Sequence, residues 1–386
     1  MAYDDTYRYE PGRTDGAPDI EPTTLSLQPD TPVDAPANDR MGVHVCVEIA
    51  LLLLFATALF MLYRDETSPL ATSQIRNSIV VFIVPLLLCT IAVTTSMRVH
   101  AANLAVGATA LASAVVFSEL ADYGLLVAAS GAIGTGIGLG VAMAVVVLLF
   151  RVPPWLVSLG VAVGLPLWLK TRVDLRAVYS QDMPELAPSN AWMWLAGVAV
   201  ASVVLGIVGA TGTVRERFGA CAEATSSPGV RSSGATKLLT AVMLVASSTL
   251  AAAAGMWLVW SQIPAGPVRS VGLDPTMLTL FGFAAALVGG TSVYGRRGGV
   301  LGTLLACLVL SAVLTLQMLH GWRVNEVWIL MVAAGVGLVV MRIVDAAGSP
   351  KRDAVGAAAA TEDQDTATQP SAFDMGDIDP YRGPGR

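Results

Sequence analysis

The 386-residue chain is 54% hydrophobic and 13% charged, roughly half the charged fraction of a soluble domain, which excludes a body folded around a water-surrounded core and puts it in lipid. The net charge of −6 belongs to the ends: residues 1–40 and 347–386 hold 16 of the 29 acids and 7 of the 23 bases, a net of −9, leaving 13 acids and 16 bases, +3, for 41–346. The acidity therefore says nothing about a substrate, and no basic surface argues for a nucleic-acid partner. Cys46, Cys89, Cys221 and Cys307 are scattered without CxxC spacing, and His44, His100 and His320 are isolated near the ends of apolar runs. Neither a disulfide framework nor a metal site is expected from such placement.

Residues 1–40 carry six prolines and nine acids and cannot bury enough apolar surface to order themselves, so a disordered tail is predicted. A secretory signal would open with a basic region and an apolar core; neither is present, so the first span is expected to be retained. Apolar runs follow at 42–63, 78–97, 101–118, 124–150, 155–170, 191–211, 237–260, 276–294, 298–319 and 326–344. The expected class is all-α, a polytopic membrane protein of about ten transmembrane helices. A second disordered tail is predicted over 347–386, where Ala, Asp, Thr and Pro recur without periodicity.

Orientation follows from loop cations. With the N-terminus cytoplasmic, the inner set is Arg40, Arg98, Arg151, Arg215, Arg217, Arg231, Lys237, Arg296, Arg297, Arg342, Lys351 and Arg352, twelve residues. The outer set is Arg64, Arg76, Lys170, Arg172, Arg176, Arg269 and Arg323, seven residues, so both termini are expected inside a cell membrane. All eight tryptophans lie near span edges, where interfacial anchoring accounts for them.

Within the fourth run, GTGIGLG places Gly136 and Gly140 on one helix face, a spacing for close helix packing; no preceding strand supports a dinucleotide fingerprint. Residues 229–237, GVRSSGATK, miss the Gly-Lys-Ser/Thr of a phosphate-binding loop, so no ATP site and no cofactor are expected in this chain. Ionisable residues inside spans are few: Glu48 lies in the first turns of the first run, and Arg342 near the end of the last, where it can snorkel. No Asp or Glu falls in the middle of a run, whereas a proton- or sodium-coupled carrier ordinarily needs ion-binding groups there.

The longest internal polar break is 212–237, GTVRERFGACAEATSSPGVRSSGATK, with Arg215, Glu216, Arg217, Arg231 and Lys237. Its piece 216–225 is rich in helix formers and is followed by Pro228 and Gly229, predicting a short helix.

Residues 287–303, LVGGTSVYGRRGGVLGT, resemble the signature of the permease subunits of ribose-type ABC sugar importers. RVPPWLVSLG at 151–160 resembles that family's RVPPFIVTLG, and NLAVG at 103–107 stands where the family reads DLSVG. Residues 227–238, followed by 250–255, resemble the segment leading out of its cytoplasmic coupling loop. The pieces occur in the family's order across most of 75–345. The chain departs from the pattern at Asn103, an acid in the family, and at GACAEATS, where the family reads AIGGN.

The resemblance implies a permease domain over 41–346 that imports a monosaccharide such as ribose, or a related small polar solute. ATP would be hydrolysed in separate ABC ATPase subunits, making this chain a transport pathway and not an enzyme. An extracytoplasmic binding protein and a second permease, identical or sister, complete the expected assembly. The coupling loop, 212–236, would present Arg215, Glu216, Arg217, Phe218, Ala222, Glu223 and Ala224 to the ATPase. The signature turn comprises Gly289, Gly290, Thr291, Ser292, Gly295, Gly298 and Gly302; Asn103, Ser158 and Gln262 are the candidate pathway residues. The alternatives are a secondary transporter or exporter with its own energy source, and a membrane scaffold recruiting partners through its acidic tails.

Overall fold

The computed structural model describes residues 41–64, 73–173, 188–226, 233–261, 274–295 and 301–348, all within one unit, Arg40–Ser349. The predicted tail 1–40 lies outside these residues, as does 349–386 of the second; residues 347–348, expected in that tail, are instead the end of the last helix. Arg231, Gln262, Arg296, Arg297 and Gly298 also lie outside the described residues.

Among the described residues the regular structure is entirely helical. In chain order it comprises α1 (Met41–Arg64), α2 (Ser73–Arg98), α3 (Val106–Glu119), α4 (Leu125–Phe150), α5 (Pro154–Arg172), α6 (Pro188–Ala210), α7 (Gly212–Ser226), α8 (Gly234–Trp260), α9 (Pro275–Val288), α10 (Gly302–Leu319) and α11 (Glu326–Gly348). Eight of these, α1, α2, α4, α5, α6, α8, α10 and α11, are long and apolar enough to cross a membrane.

The predicted spans 101–118 and 276–294 are instead α3 and α9, each of 14 residues. At ~1.5 Å per residue such a helix reaches about 21 Å, short of the ~30 Å hydrocarbon thickness. Hydropathy ran these segments together with apolar residues that are not helical: 101–105 before α3 and 289–294 after α9. The predicted helix 216–225 is longer than expected and begins at Gly212.

Local chemistry sets several ends. Ser233 caps α8 by accepting from Thr236 N at 3.2 Å. Asp274 caps α9 through Thr276 N at 2.7 Å, with Pro275 in the first turn, where its missing N–H costs nothing. Helix α2 ends in a Schellman motif: Ala101 N donates to Ser96 O at 3.1 Å and His100 N to Met97 O at 2.9 Å. His100 takes the left-handed position, φ 55°, usually held by glycine. Helix α9 ends the same way, with Gly290 at φ 79° and Thr291 N on Ala286 O at 3.0 Å. The N-terminus of α10 has no cap of its own; the Glu48 carboxylate of α1 accepts from Leu301 N at 2.9 Å and Gly302 N at 3.2 Å.

Helix α8 is the centre of the bundle, packing against α2, α3, α4 and α7. Helices in lipid gain little from excluding water and associate through close packing, which small residues permit. A methyl on Gly255 would overlap the Ala110 carbonyl of α3. The Gly136–Gly140 face behaves as the sequence predicts. A methyl on Gly136 would overlap the Ala252 side chain, and one on Gly140 would come within 2.7 Å of Val245 Cα, whereas Gly134 and Gly138 have nothing near them.

Trp257 departs from the interfacial expectation. It is 1% exposed and meets Trp194 and Trp260 edge to face, ring centroids 5.5 and 5.6 Å away. Its indole N–H donates to Val81 O at 3.0 Å. Pro85 lies inside α2 and has no N–H for the carbonyl four residues earlier, that of Val81. The tryptophan supplies the missing donor and ties α8 to α2.

This pairing predicts a coupling. Trp257→Phe orphans the Val81 carbonyl and should cost about 1–3 kcal/mol. Pro85→Ala restores a backbone donor, so the same Trp257→Phe change should cost less in that background. Thermal unfolding of the four proteins in a double-mutant cycle checks this; equal costs in both backgrounds would refute it.

Candidate functional site

The non-helical residues 99–105 join α2 to α3 in the interior, and Val99, Ala101, Asn103 and Ala105 are fully buried. Backbone groups there have no water to turn to, so the protein must satisfy them. Asn103 does much of this. Its Oδ1 accepts from Ala105 N at 3.0 Å, and its Nδ2 donates to Ser247 Oγ at 3.1 Å and Ser248 Oγ at 3.3 Å on α8. Its own N–H donates to Ser96 Oγ at 3.1 Å. Ser158 of α5 accepts from Leu104 N at 3.1 Å, and its hydroxyl has two carbonyls to donate to, Ala102 O and Trp155 O, both at 3.1 Å.

The N-termini of α3 and α9 meet just beyond the break. Gly107 N donates to Thr279 Oγ1 at 3.0 Å, and a methyl on Gly107 would overlap the Pro275 carbonyl oxygen. Only glycine permits this approach. The predicted pathway residues Asn103 and Ser158 are thus brought to one joint; Gln262 lies outside the described residues.

The turn after α9 sits beside the same joint. His100 Nδ1 faces Val293 O at 3.0 Å, which requires the Nδ1–H tautomer. Val293 N lies 3.2 Å from Met341 Sδ of α11. Thr291 and Ser292 are buried, and Ser292 Oγ accepts from Tyr294 N at 3.3 Å. Gly289 and Gly302 touch backbone to backbone, joining the start of α10 to the end of α9. Gly295 adopts φ 76°; a Cβ there would lie 3.0 Å from Arg98 O and 3.3 Å from the Ala222 methyl. Arg342 stands over the Tyr294 ring, 5.4 Å from its centroid, a cation–π contact.

Helix α7 therefore touches this turn at Ala222, one of the residues expected to face a partner, and Phe218 of that set turns inward too. Phe218 is 3% exposed, and Ala222 meets the position of Gly295. Cys221 is buried too, 3.7 Å from Thr236 O. Burial pushes its thiol pKa up, with the Thr240 hydroxyl pulling weakly the other way. The outward face is Thr213, Glu216, Arg217 and Ala220, while Arg215 is half-buried. Glu223 and Ala224 lie on the last turn of the helix.

Four residues that hold this region together were not singled out in the sequence. Ser96, Ser247 and Ser248 looked like small residues in apolar runs, although an adjacent serine pair deep in α8 was a usable signal. His100, isolated near the end of an apolar run, gives no sign in the sequence of its bond to Val293 O. Among the described residues no group of three or more His, Cys, Asp or Glu gathers as a metal would require. The joint offers hydrogen bonds and a break in helical continuity.

Asn103→Leu and Ser158→Ala each leave a break N–H, of Ala105 or Leu104, without its acceptor. Each should destabilise the protein by about 1–3 kcal/mol. Ser130→Ala, whose hydroxyl is exposed, should leave the unfolding midpoint where it is. Thermal unfolding in detergent decides, and midpoints unmoved by the first two changes would show that the break does not depend on these side chains. Compared with protein-family models, curated proteins and solved structures, the chain matches none.

Proposed function

We propose that the chain is the transmembrane permease subunit of an ATP-driven ABC importer for a monosaccharide such as ribose, or a related small polar solute. The observation that carries this reading is convergence. The stretches resembling the ribose-type permeases, 103–107, 151–160, 250–255 and 287–303, are far apart in sequence. Yet Asn103 lies in the α2–α3 break, Ser158 and Val293 each bond to residues of it, and Gly255 abuts the α3 that follows it. Pieces matching by chance would have no reason to share a joint.

A broken helix is a place where a pathway can open without unwinding a complete span, since its backbone is already held by side chains. Helix α7, beneath the break, offers the outward residues Thr213, Glu216 and Ala220 to an ATPase, while Phe218 and Cys221 anchor it inward. ATPase movement would reach the break through Ala222, Gly295 and His100. In this reading the α7 end is cytoplasmic, as are both termini, in keeping with the excess of loop cations on that side. The outward apolar faces of the spans meet lipid and a second permease, and the opposite end receives the binding protein.

Uptake of labelled ribose and related monosaccharides by cells carrying the intact assembly tests the reading. Uptake should stop with vanadate. It should fall roughly tenfold or more with Ala220→Trp or Glu216→Arg, which alter the outward face of α7, at unchanged protein level in the membrane. Thr213→Ser should be silent. Uptake that resists vanadate and collapses with a protonophore would replace this reading with a self-energised carrier.

A further inference from the structure

Arg98, the last residue of α2, is the one buried charged side chain among the described residues, 9% exposed. Its Nη1 donates to Leu205 O of α6 at 2.9 Å, and it lies so close over α6 that a methyl on Gly209 would overlap Nη1. Its Nε–H has no partner. Arg98 lines a cavity of about 260 Å³ between α2, α6, α7, α8 and α10. Thr303, whose Oγ1 is also buried without a partner, lines the same cavity, as does Arg217 of α7. No carboxylate is among the lining residues. A buried guanidinium with a free N–H and no anion among the residues that line its cavity is an unfavourable arrangement unless something else supplies the charge.

The remaining walls are apolar, Phe218 and Met243 among them. Leu205 and Val208 line the cavity and are also 46% and 47% exposed, so it runs out onto the apolar outer face of α6. At this volume it is at or below the small end of ligand sites, which span about 300–1,000 Å³. It suits a head group and not a whole amphiphile. We propose that this cavity binds the phosphate head group of an anionic phospholipid from the surrounding leaflet. The phosphodiester accepts from Arg98 Nε–H and Thr303 Oγ–H, Arg217 adds a second positive charge, and the acyl chains lie along α6. Bound lipid then fastens α7 to α2 and α6. This site is separate from the α2–α3 break and does not depend on the transport class.

The test uses the full chain in neutral-lipid nanodiscs or detergent, with lipid binding read by native mass spectrometry and thermal protection. Phosphatidylglycerol should bind and protect in preference to phosphatidylcholine. Arg98→Gln should weaken that preference roughly tenfold or more, the loss of a hydrogen bond to a charged group, while Arg98→Lys keeps most of it. Met243→Trp fills the cavity without touching a charge and should abolish the preference, so the proposal remains testable if Arg98→Gln fails to fold. An equal phosphatidylglycerol preference in wild type and Met243→Trp would overturn it, pointing to general surface attraction. Equal protection by glycerol phosphate or inorganic phosphate would also overturn the lipid assignment, in favour of a soluble anion.

Discussion

Backbone inside an apolar bundle must find its hydrogen bonds within the protein, and much of this structure follows from that constraint. It is felt at two places on α2. Pro85 leaves the Val81 carbonyl without its helical donor, and Trp257 of α8 provides one. Seven residues of non-helical chain then follow α2, and Asn103, Ser96 and Ser158 take up its N–H groups. Both repairs come wholly or partly from other helices. The positions of α5 and α8 against α2 and α3 are therefore set by polar geometry as well as by shape, in an environment where transfer from water supplies little to hold helices together.

The two short helices, α3 and α9, are a consequence of the same arrangement. Each is too short to cross, and their N-termini abut in the interior through Gly107, Pro275 and Thr279. Helices α2 and α9 both close with a left-handed residue, His100 and Gly290. His100 carries the cost of that conformation, about 1–2 kcal/mol, and its ring hydrogen bond to Val293 O offsets part of it. A glycine would relieve the strain and lose the link between the break and the turn after α9. That link, continued through Gly295 and Ala222, gives α7 a contiguous physical route to the break.

Charge is handled in two contrasting ways. Glu48 stays within an apolar helix because it meets the free N–H groups at the start of α10, where a helix terminus favours an anion. Arg98 is buried with one carbonyl partner and a free Nε–H. Glu48 thereby completes a structure, whereas Arg98 leaves a polar requirement beside a cavity.

The sequence by itself determined the helical, membrane-like character of the described body, the succession of apolar runs and the Gly136–Gly140 packing face, because composition and residue spacing act locally. It also marked 212–237 as a distinct polar element containing a helix. Only the tertiary structure decided that two of the ten runs are short helices, since hydropathy registers apolar residues whether or not they are wound. Tertiary contact alone revealed Trp257 as a donor to a proline-orphaned carbonyl, Ala222 and Phe218 as inward anchors, and Arg98, counted in the sequence as a loop cation, as a buried one. In each case the deciding partner is remote along the chain: Val81 for Trp257, Gly295 for Ala222, Leu205 for Arg98. A side chain's burial and hydrogen bonding depend on what folds against it, and no local pattern of residues encodes that.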